Sequence, residues 1–176
     1  MSRETLLPKL ADHVLEEGLA AASLRPLAKA AQTSDRMLIY HFGSKDALMA
    51  QLLEHLAALY TQMLESAFAM DRAPSRSELA ARVLKITQQD SFRPYLALWW
   101  EIVAGAARGN ADFRDPAAEI MERLLEWVQN HLPANDPDPA EGAKLVLTVI
   151  EGALMLDAIG RGNIGQGALA PLGDTA

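Results

Sequence analysis

A short run sets the architecture of the chain: Ser23-Leu24-Arg25-Pro26-Leu27-Ala28-Lys29-Ala30-Ala31-Gln32-Thr33-Ser34-Asp35-Arg36-Met37-Leu38-Ile39-Tyr40-His41-Phe42-Gly43-Ser44-Lys45. Ser23 and Ser34 have the chemistry of helix N-caps, because a serine hydroxyl can accept a hydrogen bond from the next turn. Pro26 falls in a first helical turn, where its missing N–H costs little. Gly43 is a typical helix terminator. The run therefore predicts two short helices joined by a brief turn at Gln32–Thr33.

Longer helices flank this pair on both sides. Apolar residues recur every three or four positions over Arg3–Glu17, and Gly18 follows where a left-handed residue closes a helix. Ser44 can cap a fourth, long helix whose apolar period continues to Phe68. After a loop at Asp71–Ser77, the pattern predicts helices at Glu78–Gln89, Pro94–Arg108, Pro116–His131 and Ala140–Ile159. No strand pattern is present, so the predicted class is all-α.

Three helices within the first 42 residues, the second and third of them short, are typical of a helix-turn-helix. An apolar set is available to hold the pair at a fixed angle: Leu24, Leu27, Ala28, Ala31, Leu38 and Phe42. The outward face of the third helix then offers Arg36, Met37, Tyr40 and His41 to the DNA major groove. By pattern alone this layout also occurs in many all-helical proteins without DNA-binding function.

The same run, with its Phe42-Gly43-Ser44-Lys45 junction opening the fourth helix, resembles the DNA-binding domain of TetR-family transcriptional regulators. The resemblance covers about residues 3 to 55. It implies a three-helix helix-turn-helix headpiece at residues 1–47 and a helical ligand-binding and dimerisation domain at residues 48–176. Two positions depart from the family pattern. Gln32 replaces the usual glycine, which suggests a slightly different turn closure, and Ile39 replaces an aromatic, which leaves aromatic contact to Tyr40.

The DNA-binding residues that the resemblance implies are Ser23, Arg25, Ser34, Arg36, Met37, Tyr40, His41 and Lys45. A lysine near a helix start opposes the helix dipole, so Lys45 is better explained by phosphate contact than by a structural role. Arg36 could either contact a base edge or be an ordinary solvent-exposed surface residue; the sequence leaves both roles possible. Asp35 can accept from a cytosine amino group but fits a first-turn dipole partner better. His41 is open between core packing and DNA contact.

The overall charge is acidic, which taken alone argues against nucleic acid. The 176 residues contain 16 Lys+Arg and 23 Asp+Glu, a net charge of −7. Residues 18–45, however, hold four basic side chains against Asp35 alone, a local balance of +3. Screening limits the effective field to about 8 Å at physiological salt, so the local balance governs DNA contact. The chain has no cysteine, which excludes disulfides and thiolate chemistry.

The remaining helices predict a homodimer. Broad apolar coverage of Pro116–His131 and Ala140–Ile159 suits a four-helix interface between two copies, with an intramolecular core as the alternative. The glycine-rich tail Gly160–Gly173 is expected to be loosely ordered. No export signal or membrane-spanning segment is recognisable, and a cytoplasmic location is expected.

An effector site is expected in the helical body. The candidates are Met63, Tyr95, Trp99 and Trp100, which would bind a small apolar or aromatic effector; plain core packing is the alternative. No cofactor or metal is expected, since no histidine has a glutamate three residues before it and no phosphate-binding loop occurs. The predicted function is a repressor that binds a pseudo-palindromic operator and is released by its effector. The alternatives are a helical adaptor that has lost DNA binding and, last, a helical-bundle enzyme.

Overall fold

The computed structural model describes residues 2–68 and 72–173, apart from the side chain of Pro171, and every regular element in those ranges is helical. The α-helices are α1 Arg3–Glu17, α2 Leu24–Ala30, α3 Asp35–Phe42, α4 Lys45–Ala67, α5 Arg76–Thr87, α6 Arg93–Ala107, α7 Ala111–His131, α8 Pro139–Ala158 and α9 Gly162–Gly167. Short 3-10 helices occur at Leu19–Ala21, Asp90–Phe92 and Ala170–Gly173. The predicted all-α class is confirmed.

The described residues pack into two compact units. The first draws on Met1–Tyr60 and Ser91–Ile120, and the second on Thr61–Asp90 and Met121–Ala176. This division into two units reflects which residues pack together. The functional division at residue 47 rests on the resemblance and stays a prediction.

The core of the first unit is built from one face of each of its helices. In α1, Leu6, Leu10 and Val14 recur every four residues and are fully buried. Burying a leucine side chain stabilises a fold by about 1.5–3 kcal/mol relative to exposure. The same cluster contains Ala11, Ala22, Leu27, Ala28, Ala31, Leu38, Phe42, Leu48, Leu52, Leu53, Leu56, Leu98 and Ile102. The apolar period of the N-terminal sequence therefore does specify the buried faces.

Serine side chains begin two of the helices as expected. Ser34 Oγ accepts a hydrogen bond from the Met37 N–H at 3.3 Å, and Ser44 Oγ accepts from the Ala47 N–H at 3.0 Å. Ser23 precedes α2 in an extended conformation, but its hydroxyl accepts no capping bond. The predicted capping bond of Ser23 is therefore wrong, which leaves this hydroxyl available to an external partner.

A carboxylate of α6 holds the segment that follows α1. Glu101 Oε2 accepts a hydrogen bond from the Leu19 N–H at 3.0 Å. Gly18 has φ +79°, and a Cβ added to it would lie 2.9 Å from Glu101 Oε1. The sequence predicted glycine here as a helix terminator. The structure adds a second reason, since a Cβ at this position would displace the Glu101 carboxylate.

In the second unit a buried ion pair fixes the loop before α8. Arg76 Nε donates to Asp136 Oδ2 at 2.8 Å, and Arg76 Nη2 donates to Asp136 Oδ1 at 2.6 Å and to the Asp138 carbonyl at 3.1 Å. The side chains of Arg76 and Asp136 are only 10% and 2% exposed. Gly142 accommodates the guanidinium, because a Cβ there would lie 2.7 Å from Arg76 Nε. The loop is thus clamped to the start of α5.

Two expectations from the sequence are corrected in the second unit. The loop predicted to extend to Ser77 ends earlier, because Ser75 Oγ accepts from the Glu78 N–H at 3.1 Å and α5 begins at Arg76. The tail Gly160–Gly173 is not loose, since it contains α9 and a 3-10 helix. Glycine lowers helix propensity but permits close approach: a Cβ on Gly165 would lie 2.7 Å from that of Ala153 in α8. Close packing on α8 therefore orders this segment.

Candidate nucleic-acid interface

The helix pair α2–α3 rests on the apolar set predicted from the sequence. Leu27, Ala31 and Leu38 are fully buried, Phe42 is 3% exposed, and Leu24 at the margin is half-buried. These side chains join the core of the first unit. The pair is therefore held as a rigid body, which a helix that reads base edges requires.

The turn between the two helices closes as a Schellman motif. The Thr33 N–H donates to the Ala28 carbonyl at 2.9 Å, and the Gln32 N–H donates to the Lys29 carbonyl at 3.1 Å. Gln32 has φ +54° and is the one non-glycine residue in the described ranges with positive φ. The expectation of a different turn closure is wrong. The chain keeps the glycine-type turn and places a glutamine in it.

We expect Gln32→Gly to raise the free energy of unfolding by up to about 1 kcal/mol. A left-handed conformation costs an L-residue about 1–2 kcal/mol, and the extra unfolded-state entropy of glycine offsets part of this gain. Gln62→Gly, at an exposed position inside α4, is the matched control. It should lower the free energy of unfolding by about 1 kcal/mol, because glycine disfavours a helix interior. Urea unfolding followed by circular dichroism measures both. Destabilisation by Gln32→Gly would contradict the strained turn.

Seven of the eight predicted DNA-contacting residues are exposed: Ser23, Arg25, Ser34, Arg36, Met37, Tyr40 and Lys45. Tyr40 is the most open large side chain among them, at 77% exposure, and Met37 is 40% exposed. A tyrosine ring and a methionine side chain this open on α3 have no role in the core of the unit. The exposed face of α3 is thus available to a partner.

His41 differs from the other seven predicted residues. Its side chain is half-buried, and its Nε2 is buried with no hydrogen-bond partner in the described part of the chain. The ring packs edge-on against Tyr40, with centroids 5.3 Å apart. The His41 carbonyl also accepts a hydrogen bond from Arg3 Nε, so α3 is joined to the start of α1. This geometry favours a packing role for the His41 ring.

Four basic side chains of the helix-turn-helix region are exposed, two on α2 and one each near the starts of α3 and α4. Arg25, Lys29, Arg36 and Lys45 are all exposed, and none forms an ion pair with a described residue. Arg25 and Lys29 lie one turn apart on α2 and line a groove with His13. Lys29 and His13 were not predicted as site residues. The four-residue spacing of Arg25 and Lys29 on one short helix was the signal that could have placed Lys29.

The predicted effector residues fall in different parts of the fold. Tyr95 and Trp99 pack against the core of the first unit, and Trp100 beside them is half-buried. The Tyr95 ring lies 6.0 Å from that of Tyr60, between centroids, and burial raises the pKa of the Tyr95 phenol. Met63 is half-buried and belongs to the second unit. An effector site at these residues stays a prediction.

Among the residues that the structure describes, no group of three or more His, Asp or Glu side chains is arranged to hold a metal ion. No helix in the same ranges is long and apolar enough to cross a membrane.

Residues 12–52 match the model of the N-terminal domain of bacterial regulatory proteins of the tetR family. These residues form a TetR-type N-terminal domain. The match covers the last six residues of α1, the whole α2–α3 pair and the first eight residues of α4. It therefore contains every DNA-contacting residue proposed from the sequence.

The chain is similar to known transcriptional regulators over part of its length. The HTH-type transcriptional repressor Rv3405c of Mycobacterium tuberculosis (strain ATCC 25618 / H37Rv) is 30% identical over 87 residues, which are 49% of this chain and 46% of that protein. The HTH-type transcriptional repressor NicS of Pseudomonas putida KT2440 is 31% identical over 61 residues, 35% of this chain and 29% of that protein. The chain thus spans less than half the length of these relatives.

Solved structures extend the likeness in fold to almost the whole chain. A transcriptional regulator from Rhodococcus sp. Rha1 superposes with a TM-score of 0.69 at 22% identity, over 96% of this chain and 92% of that one. The multidrug binding protein EbrR superposes with a TM-score of 0.71 at 20% identity, over 99% of this chain and 90% of that one. At such identities the likeness concerns the fold, which is a helix-turn-helix headpiece with a helical C-terminal domain.

Proposed function

We propose that this chain is a cytoplasmic transcriptional regulator of the TetR family, without catalytic activity, that binds a pseudo-palindromic operator as a homodimer and represses until an effector releases it. The observation that carries the proposal is the exposed face of α3. Arg36, Met37 and Tyr40 project from a short helix whose opposite face is fully buried. A rigid helix with exposed polar and aromatic side chains among unpaired cations suits a DNA groove.

Each group has a distinct part in the proposed complex. Ser23, Arg25 and Lys45 stand at helix starts or in a first turn and are exposed, so they contact phosphates and fix the register of the headpiece. Arg36 and Tyr40 reach the base edges and the phosphates beside them. Ser34 Oγ accepts the capping bond of α3, and its O–H remains free to donate to a phosphate oxygen.

A homodimer is supported by an exposed apolar stripe on α8. Leu145, Met155 and Ile159 are 42%, 51% and 68% exposed, and they share one helix face. Gly152 lies on the same face with open space where a Cβ would stand. A second copy of the stripe, related by a two-fold axis, would cover these side chains and approach closely at Gly152.

We expect Met155→Glu to weaken dimerisation at least tenfold, because two glutamates would be brought into an apolar interface. Sedimentation at micromolar concentration measures the change. Glu122→Gln on the exposed surface of α7 is a control that should leave the dimer intact. A wild-type chain that sediments as a monomer would contradict the dimer proposal itself.

The effector is proposed to be a small apolar or aromatic compound bound in the helical body, with Met63, Tyr95, Trp99 and Trp100 as its candidate contacts. EbrR, which shares the fold, has been solved in complex with proflavin. Binding would lower operator affinity by moving α4, whose first residue is Lys45. A thermal-shift screen of apolar compounds, repeated with operator present, identifies the effector.

Selection of bound fragments from random DNA tests the proposed function directly. The expected result is an enriched inverted repeat, with half-sites about one helical turn or a multiple of it apart. Absence of an enriched repeat at moderate salt would contradict operator binding. It would favour the adaptor function, in which the apolar helices bind another protein.

Lys45→Ala is expected to weaken binding to all DNA sequences by a similar factor. Lys45 is exposed and has no ion-pair partner in the described residues, so a phosphate contact is what the change removes. The slope of log affinity against log salt should fall by about 1 per protomer. Lys144→Ala, an exposed lysine of α8 paired with Glu141, is the control and should leave the slope unchanged. An unchanged slope in Lys45→Ala would remove Lys45 from the phosphate contacts.

A further inference from the structure

A cleft of about 210 Å³ opens in the second unit between α5, α8 and α9. Its floor is apolar, with Leu84 from α5, Leu154 from α8 and Leu169 from the segment after α9. Leu154 is buried, and the other two are half-buried. Ala81 and Ala153 keep the space open because their side chains end at Cβ. The cleft is below the ~300–1,000 Å³ typical of sites for drug-sized ligands, so it suits a smaller molecule.

Two opposite charges line this cleft. Lys85 comes from α5 and Asp157 from α8, and neither side chain forms a hydrogen bond or ion pair with a described residue. Arg82, three residues before Lys85 on α5, differs from it because it forms an ion pair with Glu78 at 2.8 Å. An unpaired ammonium and an unpaired carboxylate at one cleft are the groups that a ligand carrying both charges would pair with.

The Asp157 carboxylate lies close to the backbone of α9 at Gly162. A Cβ on Gly162 would lie 2.5 Å from Asp157 Oδ1, so only glycine leaves this carboxylate in its place. One turn further on, Gly165 brings α9 into contact with Ala153 of α8. Gly162 therefore leaves room for the Asp157 carboxylate, and Gly165 allows the close approach of α9 to α8 at the end of the cleft.

The cleft does not share a helix face with the exposed apolar stripe of α8. At 100° per residue, Leu154 and Asp157 lie roughly half a turn around α8 from Leu145, Met155 and Ile159. A dimer formed through the stripe would leave the cleft accessible. The Gln88 and Gln166 side-chain amides, exposed at its rim, add donors and acceptors without a second net charge.

We propose that this cleft binds a small zwitterion with an aliphatic body, of the class of the aliphatic amino acids. The ligand ammonium pairs with Asp157, its carboxylate pairs with Lys85, and its hydrocarbon part covers Leu84 and Leu154. This site is separate from the candidate aromatic effector residues. It is also independent of DNA binding, because occupancy is measured on the protein alone.

The test is isothermal titration calorimetry of the full-length chain with three compounds that share the same isobutyl group. L-Leucine carries both charges, 3-methylbutylamine carries only the ammonium, and 4-methylpentanoate carries only the carboxylate. We expect saturable binding of L-leucine and binding at least roughly tenfold weaker for each single-charge compound, since each lacks one charge-assisted hydrogen bond. Equal binding of 4-methylpentanoate and L-leucine would overturn the zwitterion assignment, as would no saturable binding of L-leucine up to millimolar concentration.

Variants locate the binding in the cleft. Lys85→Gln and Asp157→Asn remove one charge each from exposed, unpaired side chains and should each weaken L-leucine at least roughly tenfold without lowering the melting temperature. Arg82→Gln is the matched control on α5, because Arg82 does not line the cleft. Ala81→Leu fills the floor and should abolish binding. If Arg82→Gln weakens L-leucine as much as Lys85→Gln does, or if Ala81→Leu binds it normally, the site is not this cleft.

Discussion

Arg76→Ala is expected to lower the free energy of unfolding by about 3–5 kcal/mol, the largest stability loss that the structure predicts for a single polar side chain. The substitution leaves the Asp136 carboxylate 2% exposed without its bidentate partner, and it frees the Asp138 carbonyl. Domains of ordinary size are stable by only about 5–15 kcal/mol, so a large share of the total is lost. Arg76→Lys keeps the charge but not the fork geometry and should fall between wild type and alanine.

The matched control for Arg76→Ala is Arg82→Ala, on the same helix. Arg82 forms an i,i+4 pair with Glu78 at 2.8 Å, but these side chains are 36% and 45% exposed. Solvent screening limits such pairs to about 0–1 kcal/mol. Equilibrium unfolding in guanidinium chloride, followed by circular dichroism, should separate the two variants clearly. Equal, small losses for both would show that the Arg76–Asp136 pair contributes no more than a surface pair.

The loss at Arg76 should also depend on pH in a definite direction. The hydrogen bond from Arg76 lowers the pKa of Asp136 below its ordinary value. A carboxyl group with a lowered folded-state pKa contributes stability above its unfolded-state pKa of about 3.9, and that contribution disappears as pH falls through the folded-state value. The difference between wild type and Arg76→Ala should therefore be constant near neutrality and shrink below about pH 4. A difference that grows on acidification would contradict this assignment.

This clamp also shows where inference from the sequence ends. Ser34 and Ser44 were predictable as caps because a cap depends on residues within four positions. Arg76 and Asp136 are 60 residues apart, and nothing local marks either as buried. The same holds for Gly165. It allows α9 to pack closely on Ala153, and its low helix propensity gives no hint of this contact. Local chemistry specified helix positions; the long-range pairings needed the structure.

The candidate site was more predictable than the clamp because a helix-turn-helix is itself local. Seven of the eight proposed contacts are exposed as expected, since α2 and α3 each present one apolar and one polar face. His41 was the exception, because its position on α3 lies between the two faces and the sequence left both roles open. Lys29 was missed, although it lies one turn from Arg25 on α2. The sequence therefore assigned residues correctly to the centre of a buried or an exposed helix face, but it could not assign a residue such as His41 at the boundary between the two faces.

The second large effect is expected at Arg36, on the selected operator. Arg36 is exposed on α3, and no described residue pairs with it. A bidentate arginine contact to guanine contributes about 1–3 kcal/mol of discrimination, and a homodimer makes it twice, so Arg36→Ala should weaken operator binding by roughly 30-fold or more. The preference at one base pair in each half-site should be lost, which repeated selection with the variant measures. Binding to random DNA should change far less.

Arg36→Lys distinguishes base reading from phosphate contact at the same position. Lysine retains the positive charge, so a phosphate contact would survive with a nearly unchanged salt slope, whereas the fork that matches guanine O6 and N7 would be lost. Base reading therefore predicts that Arg36→Lys loses specificity almost as fully as Arg36→Ala. Arg25→Ala supplies the opposite reference, a uniform loss with a smaller salt slope. If Arg36→Ala behaves like Arg25→Ala, Arg36 is a phosphate contact, and base discrimination on α3 must come from its remaining exposed residues, Met37 and Tyr40 among them.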